Sequence, residues 1–320
     1  METVVDIYTT CPPSTGYEGA DYLSAVADVS RWSDRAGCAG TLVYTDNRLI
    51  DPWLVAQVVV RNTRQLNPLV AVQPVYMPPH TAAKMVASIA HMHGRSVHLN
   101  MVAGGFVKDL LALGDTTPHD DRYTRLVEYT KFVLAALPGL QVPEHLLPQV
   151  LVSGSSPAGR EAARSLGATA VKYPQPPGEE ALWTGHGQDS HFGIRVGIIA
   201  RDTSDEAWRI ARARFPEDRR GQITHRMAMA VSDSHWHGQL SGDSDPTRGD
   251  DEPDPYWLVP FRNYKTFCPY LVGSYARVAR SLAHYMALGT TTVILDVPPS
   301  EEELAHNCLA LEKASELAPA

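Results

Sequence analysis

Short runs of β-branched and other apolar residues recur along this chain, separated by longer stretches in which apolar positions repeat every three or four residues. A strand buried on both faces gives the first pattern and a helix with one apolar stripe gives the second, so their alternation predicts a parallel α/β protein. Residues 4–10 read as the first strand. Residues 21–36 read as a helix whose Leu23, Val26, Val29 and Trp32 share a face before Gly37 stops it. Residues 41–45 form the second strand, and the next helix opens at Asp51 with Pro52 in its first turn, where a missing N–H costs nothing. The third strand is 69–73. Pro78 and Pro79 open a helix that runs through Met85 and Ile89 to His93, Gly94 ends it, and 97–102 is the fourth strand. The rhythm continues with strand 149–152, helix 157–166, strands 168–172 and 194–200, a helix from near Ser204, strand 291–295 and a last helix at 300–316. Eight strand candidates with helices between them predict a (β/α)8 TIM barrel that occupies the whole chain, 1–320, as one domain. An open doubly wound sheet is the alternative, but no G-x-G-x-x-G follows the first strand.

Two segments break the rhythm. Residues 174–190 contain Pro174, Pro176, Pro177, Gly178, Gly185 and Gly187 and are too short for a full helix. Residues 232–255 are polar, acidic and glycine-rich, which reads as an insertion loop near the C-terminal third and a candidate lid. Trp183, Trp236 and Trp257 fall in irregular segments and are expected at a wide, aromatic barrel mouth; pinning loops to the barrel is the alternative role.

Composition narrows the functional classes. With 320 residues, 44% hydrophobic and 20% charged, the chain can bury a sizeable core. Twenty-eight Lys and Arg against 36 Asp and Glu leave a formal charge of −8, which is no footprint for nucleic acid or anionic lipid. No apolar run approaches the roughly 20 residues of a membrane span, and the N-terminus lacks the basic-then-apolar pattern of a secretory signal. The expectation is a cytoplasmic protein with neither nucleic acid nor membrane as partner. Four scattered cysteines without a C-x-x-C read as free thiols. His225, His235 and His237 lie close together, but the segment is rich in Asp, Gly and Ser, so no metal site is expected.

In a barrel of this kind the chemistry lies at the carboxyl ends of the strands. After the fifth strand, Ser153-Gly154-Ser155-Ser156-Pro157 leads straight into a helix, and hydroxyls beside helix N–H groups make a phosphate cradle; a plain helix cap is the alternative. After the fourth come Leu99-Asn100-Met101-Val102-Ala103-Gly104-Gly105 and then Pro118-His119-Asp120-Asp121-Arg122-Tyr123. Together these motifs resemble the bacterial luciferase-like flavin-dependent monooxygenases, in particular the alkanesulfonate monooxygenase branch. The likeness spans residues 51–166 and resumes at Phe192-Gly193-Ile194-Arg195 through Asp205-Glu206-Ala207-Trp208. It returns at Leu271-Val272-Gly273-Ser274, where the family has a turn before its penultimate helix.

The resemblance implies a (β/α)8 barrel that binds reduced FMN (FMNH2) delivered by a separate NAD(P)H-dependent flavin reductase, uses O2, and self-associates as a homo-oligomer. It places Asp46, Asn100, Ala103, His119, Tyr123, Ser155 and Ser156 at the flavin, with Ala103 standing where many relatives have Thr. It makes Arg195 the catalytic candidate, whose permanent charge would stabilise developing negative charge or hold an anionic substrate. Leu49, Gly197 and Pro298 stand where the sulfonate branch has Cys, His and Tyr. The expected substrate is therefore a larger, non-sulfonate organic molecule of specialised metabolism, free or tethered to a carrier. A deazaflavin-dependent oxidoreductase of the same superfamily and a flavin-binding protein without catalysis are the alternatives.

Overall fold

The computed structural model describes residues 5–180, 191–229 and 254–318. The chain packs as two compact units, Ile7–Val171 and Lys172–Ala320 with Met1–Asp6.

Strands β1 (Asp6–Thr10), β2 (Gly40–Val43), β3 (Asn67–Val72), β4 (His98–Val102), β5 (Val150–Ser153) and β6 (Thr169–Lys172) follow one another in chain order, each parallel to the last. Between them run α1 (Gly19–Arg35), α2 (Pro52–Asn62), α3 (Pro79–His93), the short α4 (Val107–Ala112), α5 (His119–Ala136) and α6 (Pro157–Leu166). The local chemistry is as the sequence predicts. The Asp51 carboxylate accepts the Trp53 N–H at 2.9 Å beside Pro52, and Gly94 ends α3 in the left-handed conformation. Tyr8 fills the floor of this unit. Its hydroxyl lies 2.8 Å from His98 Nδ1 and donates to Gln149 Oε1 at 3.2 Å. Burial pushes the His98 pKa down to about 4, so the ring is neutral and the cluster carries no uncompensated charge.

The second unit is built on β7 (Phe192–Arg201), all ten residues of which are buried. Its first half pairs with β10 (Thr290–Leu295) and its second half with β9 (Tyr270–Ser274), both parallel, while the two-residue β8 (Tyr256–Trp257) runs antiparallel to β9. The helices are α7 (Ser204–Arg214), α8 (Arg219–Met229), the single turn α9 (Val259–Arg262), α10 (Tyr275–Ala287) and α11 (Glu301–Leu317). The succession of parallel strands and helices is that of the expected (β/α)8 TIM barrel.

Two readings of the sequence change. The segment expected to be a turn at 271–274 is strand β9, which extends the pairing of a ten-residue β7 and leads directly into α10. Trp257 lines no mouth: it is 4% exposed and stands edge-on to Trp208 at 5.6 Å and Phe215 at 6.1 Å in a core cluster with Ile199 and Tyr270. His225 packs edge-on to Phe261 with centroids 4.5 Å apart. Trp183, Trp236, His235, His237 and all of the candidate lid except its last two residues lie outside the described residues. Among the described residues, no helix is long and apolar enough to cross a membrane.

Tyr8 packs directly over Gly40. A Cβ at residue 40 would lie 2.4 Å from the Asn67 carbonyl oxygen and 2.7 Å from the Tyr8 ring. Gly40→Ala is therefore expected to lower the unfolding free energy by about 1–3 kcal/mol, as overpacking does in a dense core. Denaturant unfolding checks this, and an unchanged midpoint would mean the strands can part at no cost.

Candidate active site

Two of the expected flavin residues, Asn100 and Tyr123, are joined by Ser153 at the end of β5, a residue the sequence motif includes without assigning it a role. Its Oγ donates to Asn100 Oδ1 at 2.8 Å, which leaves the Asn100 amide Nδ2–H2 as a donor on a side chain only 5% exposed. Its carbonyl accepts the Tyr123 hydroxyl at 3.3 Å. The His119 and Tyr123 rings meet edge to face with centroids 5.3 Å apart, and Asp120 Oδ1 lies 2.7 Å from His119 Nδ1, which sets the imidazole's orientation.

The Tyr123 phenol rests against the β5–α6 turn. Gly154 has φ +155°, and a Cβ there would lie 2.1 Å from the Tyr123 hydroxyl oxygen, so only glycine fits. The chain then enters α6, where Ser156 Oγ caps by accepting the Gly159 N–H at 3.1 Å. Ser156 is thus the ordinary cap that the sequence allowed as an alternative. Ser155 differs: its hydroxyl oxygen is buried and has no hydrogen-bond partner among the described residues. The Arg160 guanidinium donates to the Ser155 carbonyl at 2.7 Å, which places a positive charge against the backbone of that residue. A buried polar atom without a partner costs free energy unless a ligand supplies one, and this one sits at a helix N-terminus next to a cation. Its donor set suits an anion.

Ala103 is 4% exposed at the end of β4, and the next residue is tied to α5: Arg122 donates to the Gly104 carbonyl at 3.2 Å and to the Thr117 carbonyl at 3.0 Å. Asp46 is not drawn into the cluster. Its Oδ1 accepts the Arg48 backbone N–H at 2.9 Å and Arg48 Nε at 3.3 Å, so the carboxylate is committed to its own turn.

Arg195 lies in the second unit with partners that the sequence did not reveal. It is 7% exposed on β7, with its guanidinium 3.8 Å from Asp296 Oδ1 and 6.0 Å from the Tyr173 ring centre. Asp296 Oδ2 accepts the Thr266 hydroxyl at 2.6 Å and the Tyr270 hydroxyl at 2.8 Å. Burial pushes Tyr173 up to about 12 and raises Tyr270 and the Cys268 thiol as well, so all three stay protonated at neutral pH. A Cβ at Gly197 would lie 2.3 Å from the Tyr270 ring. The exchange of His for Gly that the sequence noted is therefore matched by a phenol filling the space.

The chain belongs to the luciferase-like monooxygenase family, whose sequence pattern matches residues 5–292. Over 326 aligned residues, 94% of this chain and 95% of its relative, it is 30% identical to 4-(gamma-L-glutamylamino)butanoyl-[BtrI acyl-carrier protein] monooxygenase BtrO of Niallia circulans. EDTA monooxygenase (EmoA) from Chelativorans sp. BNC1 superposes with a TM-score of 0.68 at 14% identity, covering 99% of this chain and 95% of that one. The oxygenating constituent of 3,6-diketocamphane monooxygenase from Pseudomonas putida, solved with FMN, gives 0.65 at 14% identity over 99% and 100%. These two structural matches carry the fold, a (β/α)8 barrel, and the chain is an enzyme of the luciferase-like monooxygenase class.

Asp115 organises the approach to α5. Its carboxylate accepts Arg125 at 2.6 Å and the Thr117 hydroxyl at 2.6 Å, and these bonds, Arg125 first, hold its pKa well below the usual 3.8. Because the folded value is depressed, the stabilisation is complete above about 3.8 and is lost as pH falls through the folded value. Asp115→Asn is expected to cost about 1.5–3 kcal/mol at pH 7. The gap to the wild type should close on acidification below that range. A difference that is constant between pH 7 and pH 2 would contradict the assignment.

Proposed function

We propose that this chain is the oxygenating component of a two-component system. It takes FMNH2 from an NAD(P)H-dependent flavin reductase and uses O2 to oxygenate an acyl group carried on an acyl-carrier protein. The observation that carries the flavin part is the buried, unpartnered Ser155 hydroxyl at the N-terminus of α6 beside Arg160. The FMN phosphate is the anion it would take, with the helix N-terminus and the guanidinium balancing its charge.

Bound reduced flavin supplies the electrons that activate O2. The chain's own residues bind and orient. Asn100 offers its amide N–H2 to the polar edge of the ring system, Ala103 gives a small apolar wall, and Tyr123 with His119 shapes the side next to the cradle. Ser156 holds the first turn of α6 in place, which keeps Ser155 aimed. Arg195 is the catalytic residue of this reading. Asp296, braced by Thr266 and Tyr270, positions its guanidinium to stabilise negative charge that develops in the reaction. Asp46 is the weakest member of the flavin set, since Arg48 already occupies its carboxylate.

The substrate class rests on two supports. The Niallia circulans relative is named for an acyl group on a carrier protein. Gly197 also stands where the sulfonate branch has His, and the Tyr270 phenol that fills the space is spent on Asp296, which leaves no imidazole there for a small sulfonate. A cytoplasmic location and self-association belong to the same reading.

Two experiments test it. The double variant Ser155→Ala, Ser156→Ala is expected to weaken reduced FMN binding by about 1–3 kcal/mol in anaerobic titration. An unchanged affinity would remove the phosphate assignment, and tighter binding of the reduced deazaflavin F420 than of FMNH2 would reassign the cofactor. With FMN and a reductase present, short alkanesulfonates should release no sulfite; steady sulfite release would overturn the substrate class.

A further inference from the structure

Helix α8 carries a concentrated basic face on a protein whose formal charge is −8. Arg219, Arg220 and Arg226 are all exposed, and none forms an ion pair with a described residue. Interleaved with them are Ile223 and Met227, 50% and 70% exposed. Positions 219, 223, 226 and 227 are spaced by three and four residues and share one side of the helix, and Arg220 lies three residues before Ile223 and two turns before Met227.

The other side of α8 is tied down. A Cβ at Gly221 would lie 2.1 Å from the Asn263 carbonyl oxygen, Gln222 Nε2 donates to Asn263 Oδ1 at 3.2 Å, and His225 is buried edge-on to Phe261. Lys265 pairs with Asp218 at 2.8 Å just before the helix. The helix therefore presents its cationic, half-apolar face on a fixed support. That support is the segment from Val259 to Lys265, and the residues that follow it, Thr266 and Tyr270, are the two that brace Asp296 against Arg195. A macromolecule bound to α8 is thus seated on the segment that feeds the Arg195 cluster.

We propose that the exposed face of α8 is the docking surface for an acidic acyl-carrier protein, which presents its tethered acyl group to the enzyme. The inference rests on the carrier-borne substrate proposed above and adds where the carrier binds. Charge selects the occupant: guanidiniums alternating with aliphatic side chains complement a helix whose carboxylates alternate with apolar residues. Arginine offers its fork of donors to carboxylates, and Ile223 and Met227 supply the area that excludes water between them.

The test uses the full chain and the holo form of the BtrI acyl-carrier protein as probe, with affinity measured by titration calorimetry at low and high salt. The wild type is expected to bind in a salt-sensitive manner. The triple variant Arg219→Glu, Arg220→Glu, Arg226→Glu should bind at least about tenfold more weakly at low salt, with the difference shrinking at high salt. Ile223→Ser with Met227→Ser should weaken binding at both salt concentrations. All variants should keep wild-type FMNH2 affinity, since none of these residues belongs to the cradle. If FMNH2 binds but the probe does not, or binds all variants as it binds the wild type, the docking surface is overturned while the flavin reading stands. If the wild type fails to bind FMNH2, it is the functional reading that fails. If charge reversal instead changes the oligomeric mass by light scattering, the face joins copies of this chain and the carrier proposal is wrong.

Discussion

The contact between the Tyr123 phenol and the backbone of Gly154 is the constraint on which the candidate flavin cradle depends. It brings α5 against the β5–α6 turn so closely that a Cβ at 154 would overlap the hydroxyl oxygen, and one at Gly159 would lie 3.1 Å from the same ring. With that distance fixed, the Tyr123 hydroxyl reaches the Ser153 carbonyl, Ser153 reaches Asn100, and His119 stacks on Tyr123 one turn earlier in the helix. What remains is the Ser155 hydroxyl, buried with no hydrogen-bond partner among the described residues.

The Arg195 cluster follows a different logic. Its charges are compensated internally: an arginine and an aspartate face each other, two hydroxyls donate to the aspartate, and burial keeps the neighbouring phenols and the Cys268 thiol neutral. An arginine held this way is pre-oriented, and pre-oriented charge needs no reorganisation when negative charge develops nearby. The phenol of Tyr270 both braces Asp296 and occupies the space over Gly197, so stability of the cluster and the change of residue at 197 are one feature.

Much of this was legible in the sequence, and the parts that were not share a cause. Periodicity located the eight barrel strands because burial on both faces writes itself into consecutive residues, and Asp51, Gly94 and Ser156 announced helix ends through local chemistry. Motif likeness picked out Asn100, His119, Tyr123 and Ser155. Ser153, Asp296 and Tyr270 were given no role because their roles exist only through partners in other elements, as with Tyr270 and Asp296, 26 residues apart, while Arg160 escaped because its partner is a backbone carbonyl. Strand β9 escaped because five residues ending in Gly-Ser look like a turn until β7 is seen to extend beyond β10. Trp257 was misplaced for the opposite reason: an irregular sequence context says nothing about whether a tryptophan packs inward, and Trp208 and Phe215 enclose it.

The central claim is that the Ser155 cradle exists for a phosphate. The most direct measurement compares the wild-type enzyme's affinity for reduced FMN with that for reduced riboflavin, which has the same ring system and lacks the phosphate. FMN is expected to bind at least about tenfold more tightly, because charge-assisted hydrogen bonds at a helix N-terminus are present in one complex and missing from the other. Equal affinity for the two would contradict it, because the buried hydroxyl and its neighbouring guanidinium would then contribute nothing to holding the cofactor.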